Sequence, residues 1–237
     1  MSDTWIVTGG SSDIAAAIYK ELDKRTEEKI TVFAQYLSHD IDTSLANIDI
    51  RPVKADLSDS DEVQDFISAI KDSGLTPTHI LHLAAVPYNY VKIKNWDETS
   101  VDKQMRVALY SFASICREFL PAMSKTKEGK VVVMLTSAVA GMKPAQGISP
   151  VKGEDTPKFL CEYVSVKSAL MGYTESLASE YAAKGIDIYT VSPGMMETKF
   201  LCNIDPKIIE MDAANSAGGE HKKPETAASE ILNVLGY

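Results

Sequence analysis

The chain has 237 residues, of which 45% are hydrophobic, and a formal net charge of −9. That length suits one α/β domain, or at most two small ones, with enough apolar residues for a sizeable core. The acidic balance argues against nucleic acid or an anionic membrane as the main partner and reads as a solvated surface. The three cysteines, Cys116, Cys161 and Cys202, are too widely spaced for a disulfide framework or a zinc site. The N-terminus has neither the basic segment nor the apolar run of a signal peptide, and no apolar run has the length to cross a bilayer. The expected location is the cytoplasm.

Taken in chain order, β-rich apolar runs alternate with helical patterns. Strands are expected at 5–8, 30–35, 50–54, 79–83, 130–135 and 186–191. Helices are expected at 14–22, at 56–70 with Asp59 or Ser60 as cap, at 101–123 and at 161–183. Alternation of this kind implies a parallel sheet with helices on both faces. No Pro/Gly-rich linker or repeat divides residues 1–237, so one domain is expected. Two irregular stretches, 141–159 and 202–225, follow the carboxyl ends of strands, where an open parallel sheet binds ligands.

The turn after the first strand reads Thr8-Gly9-Gly10-Ser11-Ser12-Asp13-Ile14-Ala15. Glycine there lets a phosphate approach closely, and the helix that follows offers free N–H groups and a positive dipole end. The same stretch also describes an ordinary βα turn. A carboxylate at Asp13 repels a pyrophosphate if it faces one, and can instead bond backbone N–H groups at the helix start. Farther on, Tyr163 and Lys167 lie four residues apart and share a helix face. A nearby ammonium favours phenolate and makes tyrosine a usable acid/base; such a pair can equally be a surface feature. Ser137, in "LTSAVAG", ends the fifth strand at the same carboxyl edge and could bond a substrate carbonyl. His79 and His82, three apart in a strand, point to opposite faces, so no metal site is expected. Tyr88, Tyr90 and Trp96 follow the fourth strand and either line a pocket or pack under the neighbouring loop.

A glycine turn after strand one, a serine ending strand five, YxxxK on the next helix and "SPGMMET" after strand six form an ordered set. Together they resemble the short-chain dehydrogenase/reductase family, in its single-domain form, over roughly residues 4–235. The resemblance implies a Rossmann-type, doubly wound sheet in the order 3-2-1-4-5-6 that binds NAD(H) or NADP(H), and an oxidoreductase acting on a carbonyl or alcohol. It makes Tyr163 the catalytic acid/base, Lys167 the lysine that lowers its pKa and holds the nicotinamide ribose, and Ser137 the carbonyl-orienting serine. It puts Gly9, Ser11, Ser12, Asp13 and Ile14 at the phosphates, Asp56 and Leu57 at the adenine, and Ala84 and Ala85 beside the cofactor. Pro193, Gly194, Met196 and Thr198 fall at the nicotinamide.

Departures from the family pattern set further expectations. The later glycines of the turn are Asp13 and Ala15. The usual Asn-Asn-Ala-Gly is His82-Leu83-Ala84-Ala85. The helix asparagine that kinks the chain and holds a relay water is Ala108, so the proton relay through Lys167 must use other groups. These losses also fit a binding or scaffold protein with impaired catalysis. The 141–159 stretch is an insertion, expected as a substrate lid or interface element, and a seventh strand is expected to be missing. The second strand ends in Gln35, Tyr36, Leu37, Ser38 and His39, with no acid to repel a 2′-phosphate, which points to NADP, with NAD still possible. In the family the helices at 101–123 and 161–183 form the subunit interface, so a homodimer or homotetramer is expected.

Overall fold

The computed structural model describes residues 3–139 and 156–237. Its single sheet has six parallel strands: β1 (Thr4–Thr8), β2 (Ile30–Tyr36), β3 (Ile48–Lys54), β4 (His79–His82), β5 (Gly129–Met134) and β6 (Ile186–Val191). Their order is β3-β2-β1-β4-β5-β6, as expected, with no seventh strand among the described residues. The chain winds outward from β1 to β3 and then returns to β4 on the other side. That reversal opens a crevice at the carboxyl ends of β1 and β4.

Every residue of β1 is buried, because helices cover both faces of the sheet. Alternate residues serve opposite sides. Trp5, Val7 and Val32 pack with α1 (Asp13–Arg25) and α7 (Pro224–Leu235). Ile6, Ile80, Val131 and Val133 pack with α2 (Ser60–Asp72), α4 (Ser111–Thr126) and α5 (Cys161–Tyr181). Local signals set the helix starts. Ser12 caps α1 by accepting from the Ala15 N–H, and Asp59 caps α2 by accepting from the N–H groups of Asp61 and Glu62.

Two elements differ from the sequence reading. The single helix expected at 101–123 is longer and broken in register. It comprises α3 (Glu98–Met105), a widened π turn at Arg106–Tyr110, and α4. The extra residue of a π turn leaves the apolar pattern nearly continuous, so periodicity does not reveal it. The helix is thus disturbed at Ala108 without an asparagine there. The stretch 202–225 also contains α6 (Pro206–Asn215), capped by Asp205 with proline in its first turn. None of its residues is buried, so no apolar stripe announced it. Of the insertion at 141–159, residues 141–155 lie outside the described residues.

The rings of His79 and His82 lie on opposite faces of the sheet. His79 stacks on Trp5 at 4.7 Å and His82 on Phe112 at 4.8 Å. Burial depresses the first to about 4 and, with help from the nearby Lys167 charge, the second to about 3. In the unfolded chain both titrate near ~6.5. The stability carried by the neutral rings is therefore full above about pH 6.5 and is lost as pH falls toward 3–4, at up to roughly 1.4 kcal/mol per pH unit for each. The urea midpoint of the wild type is expected to fall between pH 7.5 and pH 5, and that of His79→Phe to fall less. Equal falls would refute the assignment for His79.

Candidate active site

The carboxyl ends of the strands enclose a cleft of about 680 Å³. It begins at the glycine turn. Gly9 has φ of +67°, and a Cβ there would sit 2.9 Å from the Ala84 nitrogen. Two polar atoms of Gln35 brace this turn. Its Oε1 accepts from the Gly9 N–H at 2.8 Å and its main-chain carbonyl accepts from the Gly10 N–H at 2.7 Å. Its Nε2 donates to the Ala55 carbonyl at 2.7 Å. Gln35 lines the cleft, yet its side chain is buried and committed to the fold. Tyr36, Leu37, Ser38 and His39 continue the wall beyond it.

Ser11, Ser12, Asp13 and Ile14 bring the first turn of α1 to the cleft, where helix N–H groups have no intrahelical partner. The Asp13 carboxylate is engaged: Oδ2 accepts from the main-chain N–H of Lys199 at 2.9 Å. That bond ties the glycine turn to the loop after β6, which brings Pro193, Gly194, Met196 and Thr198 to the opposite wall. Asp56 and Leu57 line the end near β3, and Ala84 and Ala85 line the floor after β4. The Asp56 carboxylate accepts from both the hydroxyl and the N–H of Ser58, and these bonds hold its pKa below the usual range.

At the other end stand Tyr163 and Lys167, both on α5 and both buried. Lys167 Nζ donates to the Met134 carbonyl at 2.9 Å and lies 5.9 Å from the centre of the Tyr163 ring. Thr136 and Ser137, just beyond β5, both line the cleft with Tyr163, and Ser137 is exposed there. Of the two hydroxyls, that of Thr136 is the one that bears on the Tyr163 pKa, in the lowering direction. Nothing in the local pattern distinguishes the two, which stand just past the end of β5 and at the start of the short turn Ser137–Val139.

The expectation is an easily ionised Tyr163, lowered by Lys167; in this arrangement burial outweighs any such lowering. Burial raises Tyr163 to about 12, with Thr136 opposing it, and burial lowers Lys167 to about 8. Desolvation disfavours whichever form of each group is charged. Tyr163 is thus held as a neutral phenol, the form a proton donor needs.

Tyr88 stacks on the Tyr163 ring at 4.3 Å and is flanked by Tyr90 and Phe200. Tyr88 and Tyr90 line the cleft; Trp96 is exposed and does not. Asp212 also reaches this end, from the stretch at 202–225 expected to be irregular, and Phe200 from just before it. The signal that could have found Asp212 was the helix start at Asp205-Pro206; Ile208 and Ile209 of that helix pack against the cluster that holds Tyr88 and Tyr163.

Comparison with known proteins agrees with this layout. Over 209 residues the chain is 28% identical to sulfoacetaldehyde reductase 2 of Chromohalobacter salexigens, covering 84% of this chain and 75% of that protein. It is 26% identical to a very-long-chain 3-oxoacyl-CoA reductase of Anas platyrhynchos, covering 98% of this chain and 68% of that one. Among solved structures, 4-hydroxyisoleucine dehydrogenase complexed with NADH superposes with a TM-score of 0.77 at 19% identity, over 99% of this chain and 91% of that one. A 3-oxoacyl-[acyl-carrier protein] reductase from Brucella melitensis gives 0.75 at 21% identity, over 97% and 83% of the two chains. At these identities the structures speak for the fold. The family model for short chain dehydrogenases matches residues 3–208, and with the six-stranded order and the tyrosine–lysine helix beside the glycine turn it assigns this chain to the short-chain dehydrogenase family of oxidoreductases.

Proposed function

We propose that the protein is an NADP-preferring oxidoreductase that moves a hydride between the nicotinamide and a carbonyl or alcohol carbon. The observation that carries this reading is a single cleft joining the Gly9 turn to Tyr163, Lys167 and the hydroxyls of Thr136 and Ser137. The residues fit a dinucleotide. Gly9 stands where any side chain would strike the floor, and α1 opens toward the cleft with its N-terminus. Bound there, the nicotinamide would supply or accept the hydride, and its oxidised ring would add positive charge beside Tyr163.

The chain's own groups handle the oxygen and the proton. Ser137 orients the substrate oxygen. Tyr163 gives its proton to that oxygen in reduction and takes it back in oxidation. Lys167 bonds the ribose and supplies charge near the phenol. Reduction at saturating substrate is expected to be flat below pH 8 and to fall above it, as Lys167 loses its proton. A rate still rising at pH 9 would refute that role.

Preference for NADP rests on the end of β2. Gln35 is turned into the fold, and Tyr36, Leu37, Ser38 and His39 carry no acid to repel a 2′-phosphate. Asp13 is turned to Lys199, so it acts as a strap between the two walls. Asp13→Ala is expected to speed NADPH dissociation and weaken binding about fivefold, the worth of roughly 1 kcal/mol for one bond. Stopped-flow nicotinamide fluorescence reads this, and tighter binding would mean that repulsion of the pyrophosphate dominates. The same reading puts the protein in the cytoplasm as a homodimer or homotetramer through residues 101–123 and 161–183.

The test of the reading is titration with NADPH and NADH, followed by nicotinamide fluorescence. Micromolar binding with NADPH preferred supports it. No binding of either cofactor to the folded protein would leave a scaffold role in its place.

A further inference from the structure

His82 is the last residue of β4, in register with Thr8 of β1 on one side and Val133 of β5 on the other. Its ring is fully enclosed and makes two hydrogen bonds. Nε2 is 2.8 Å from the Ala108 carbonyl and Nδ1 is 2.8 Å from Thr8 Oγ1. A carbonyl can only accept, so Nε2 carries the proton. In the neutral ring Nδ1 is then the acceptor, and the Thr8 hydroxyl donates to it. The two partners together set the tautomer.

Ala108 is the central residue of the π turn Arg106–Tyr110. A widened turn displaces carbonyls from the regular helical ladder, and a buried carbonyl needs a donor from elsewhere. His82 provides one. The turn packs directly against α5. Val107, Ala108 and Phe112 share one apolar core with Val166 and Leu170, which lie on either side of Lys167 in the chain. Lys167 itself is held on the carbonyl of Met134, one residue beyond the Val133 that His82 faces.

We propose that His82 is a positioning residue: by donating Nε2–H to the Ala108 carbonyl it clamps the π turn to the end of β4, and through that turn it sets where α5 holds Lys167 against Tyr163. The inference rests on the reading of Tyr163 and Lys167 as the proton-transfer pair. His82 transfers no proton itself. Its N–H faces a carbonyl, which cannot pass a proton on, and its other nitrogen is occupied by Thr8.

Side-chain length separates the clamp from mere packing. Glutamine reaches about as far as the imidazole Nε2 and keeps an N–H for the Ala108 carbonyl. Methionine has the same length and no donor. Asparagine reaches only the Nδ1 position, near Thr8. The readout is ionisation of Tyr163 in the NADP⁺ complex, followed as phenolate absorbance at 295 nm minus that of Tyr163→Phe.

His82→Gln is expected to titrate within about 0.3 pH unit of the wild type. His82→Met and His82→Asn are expected to titrate at least one unit higher, a tenfold loss of ionisation. If His82→Met does not fold, His82→Asn carries the comparison. A purely structural role would lower the melting temperature of the donor-less variants and leave the Tyr163 titration where it was, which overturns the proposal. A folded His82→Gln that shifts as far as His82→Met overturns it too. Burial by itself places this ionisation high, and the positive charge of the bound oxidised nicotinamide together with Lys167 has to bring it down; if the wild type shows no difference signal against Tyr163→Phe below pH 10, the reading of Tyr163 fails first, and the clamp with it. A normal signal that ignores His82→Met sinks the clamp alone.

Discussion

Tyr163→Phe is expected to lower kcat at least about a thousandfold and to leave NADPH affinity within about threefold. A positioned proton donor contributes roughly 10²–10⁴ in rate, and the value should sit in the upper half of that range here. Tyr163 is buried under Tyr88, so bulk water has poor access to replace it. The change removes one oxygen and keeps the ring stack, so the fold should survive. Steady-state kinetics on a carbonyl substrate found by screening, with cofactor affinity measured separately, makes the check. A variant within tenfold of wild-type kcat would remove Tyr163 from the mechanism. A variant with normal kcat and raised KM would make the hydroxyl a binding group only.

Gly9→Ala should abolish high-affinity cofactor binding, with Kd rising at least tenfold and a melting temperature lower by several degrees. Two costs add. An L-residue at φ of +67° pays about 1–2 kcal/mol for the left-handed conformation. The new Cβ would also meet the Ala84 nitrogen at 2.9 Å and the Leu83 carbonyl carbon at 3.1 Å. These are main-chain atoms of the cleft floor, so relief requires shifting the end of β4 rather than turning a side chain. The shift would separate Ala84 and Ala85 from the glycine turn, which are the two surfaces between which the dinucleotide is proposed to lie. Fluorescence titration with NADPH and thermal unfolding read the two effects separately. Unchanged affinity would mean that the turn does not hold the cofactor.

The sequence by itself determined the architecture and the order of the chemistry along the chain. Alternating runs of apolar strand and amphipathic helix are local patterns, and their period survives without knowledge of partners. The glycine turn after β1 and the four-residue step from Tyr163 to Lys167 are legible for the same reason, since each depends on neighbours in the chain. They were enough to place both motifs at one edge of a parallel sheet. The helix start at Asp205-Pro206 is also local, but α6 has no buried face to give it a period.

Only the tertiary structure decided which groups meet. Asp13 bonds a main-chain N–H 186 residues away, and His82 bonds a carbonyl 26 residues away inside a π turn. The turn itself is invisible to periodicity, because one inserted residue rotates the apolar stripe without breaking it. Thr136, rather than Ser137, is the hydroxyl that bears on the Tyr163 pKa. The electrostatics followed the same rule. A lysine one helical turn away suggested an easily ionised tyrosine, but both groups are buried, and desolvation outweighs their spacing. Spacing along the chain is written in the sequence, whereas burial and long-range hydrogen bonds are properties of the packed whole.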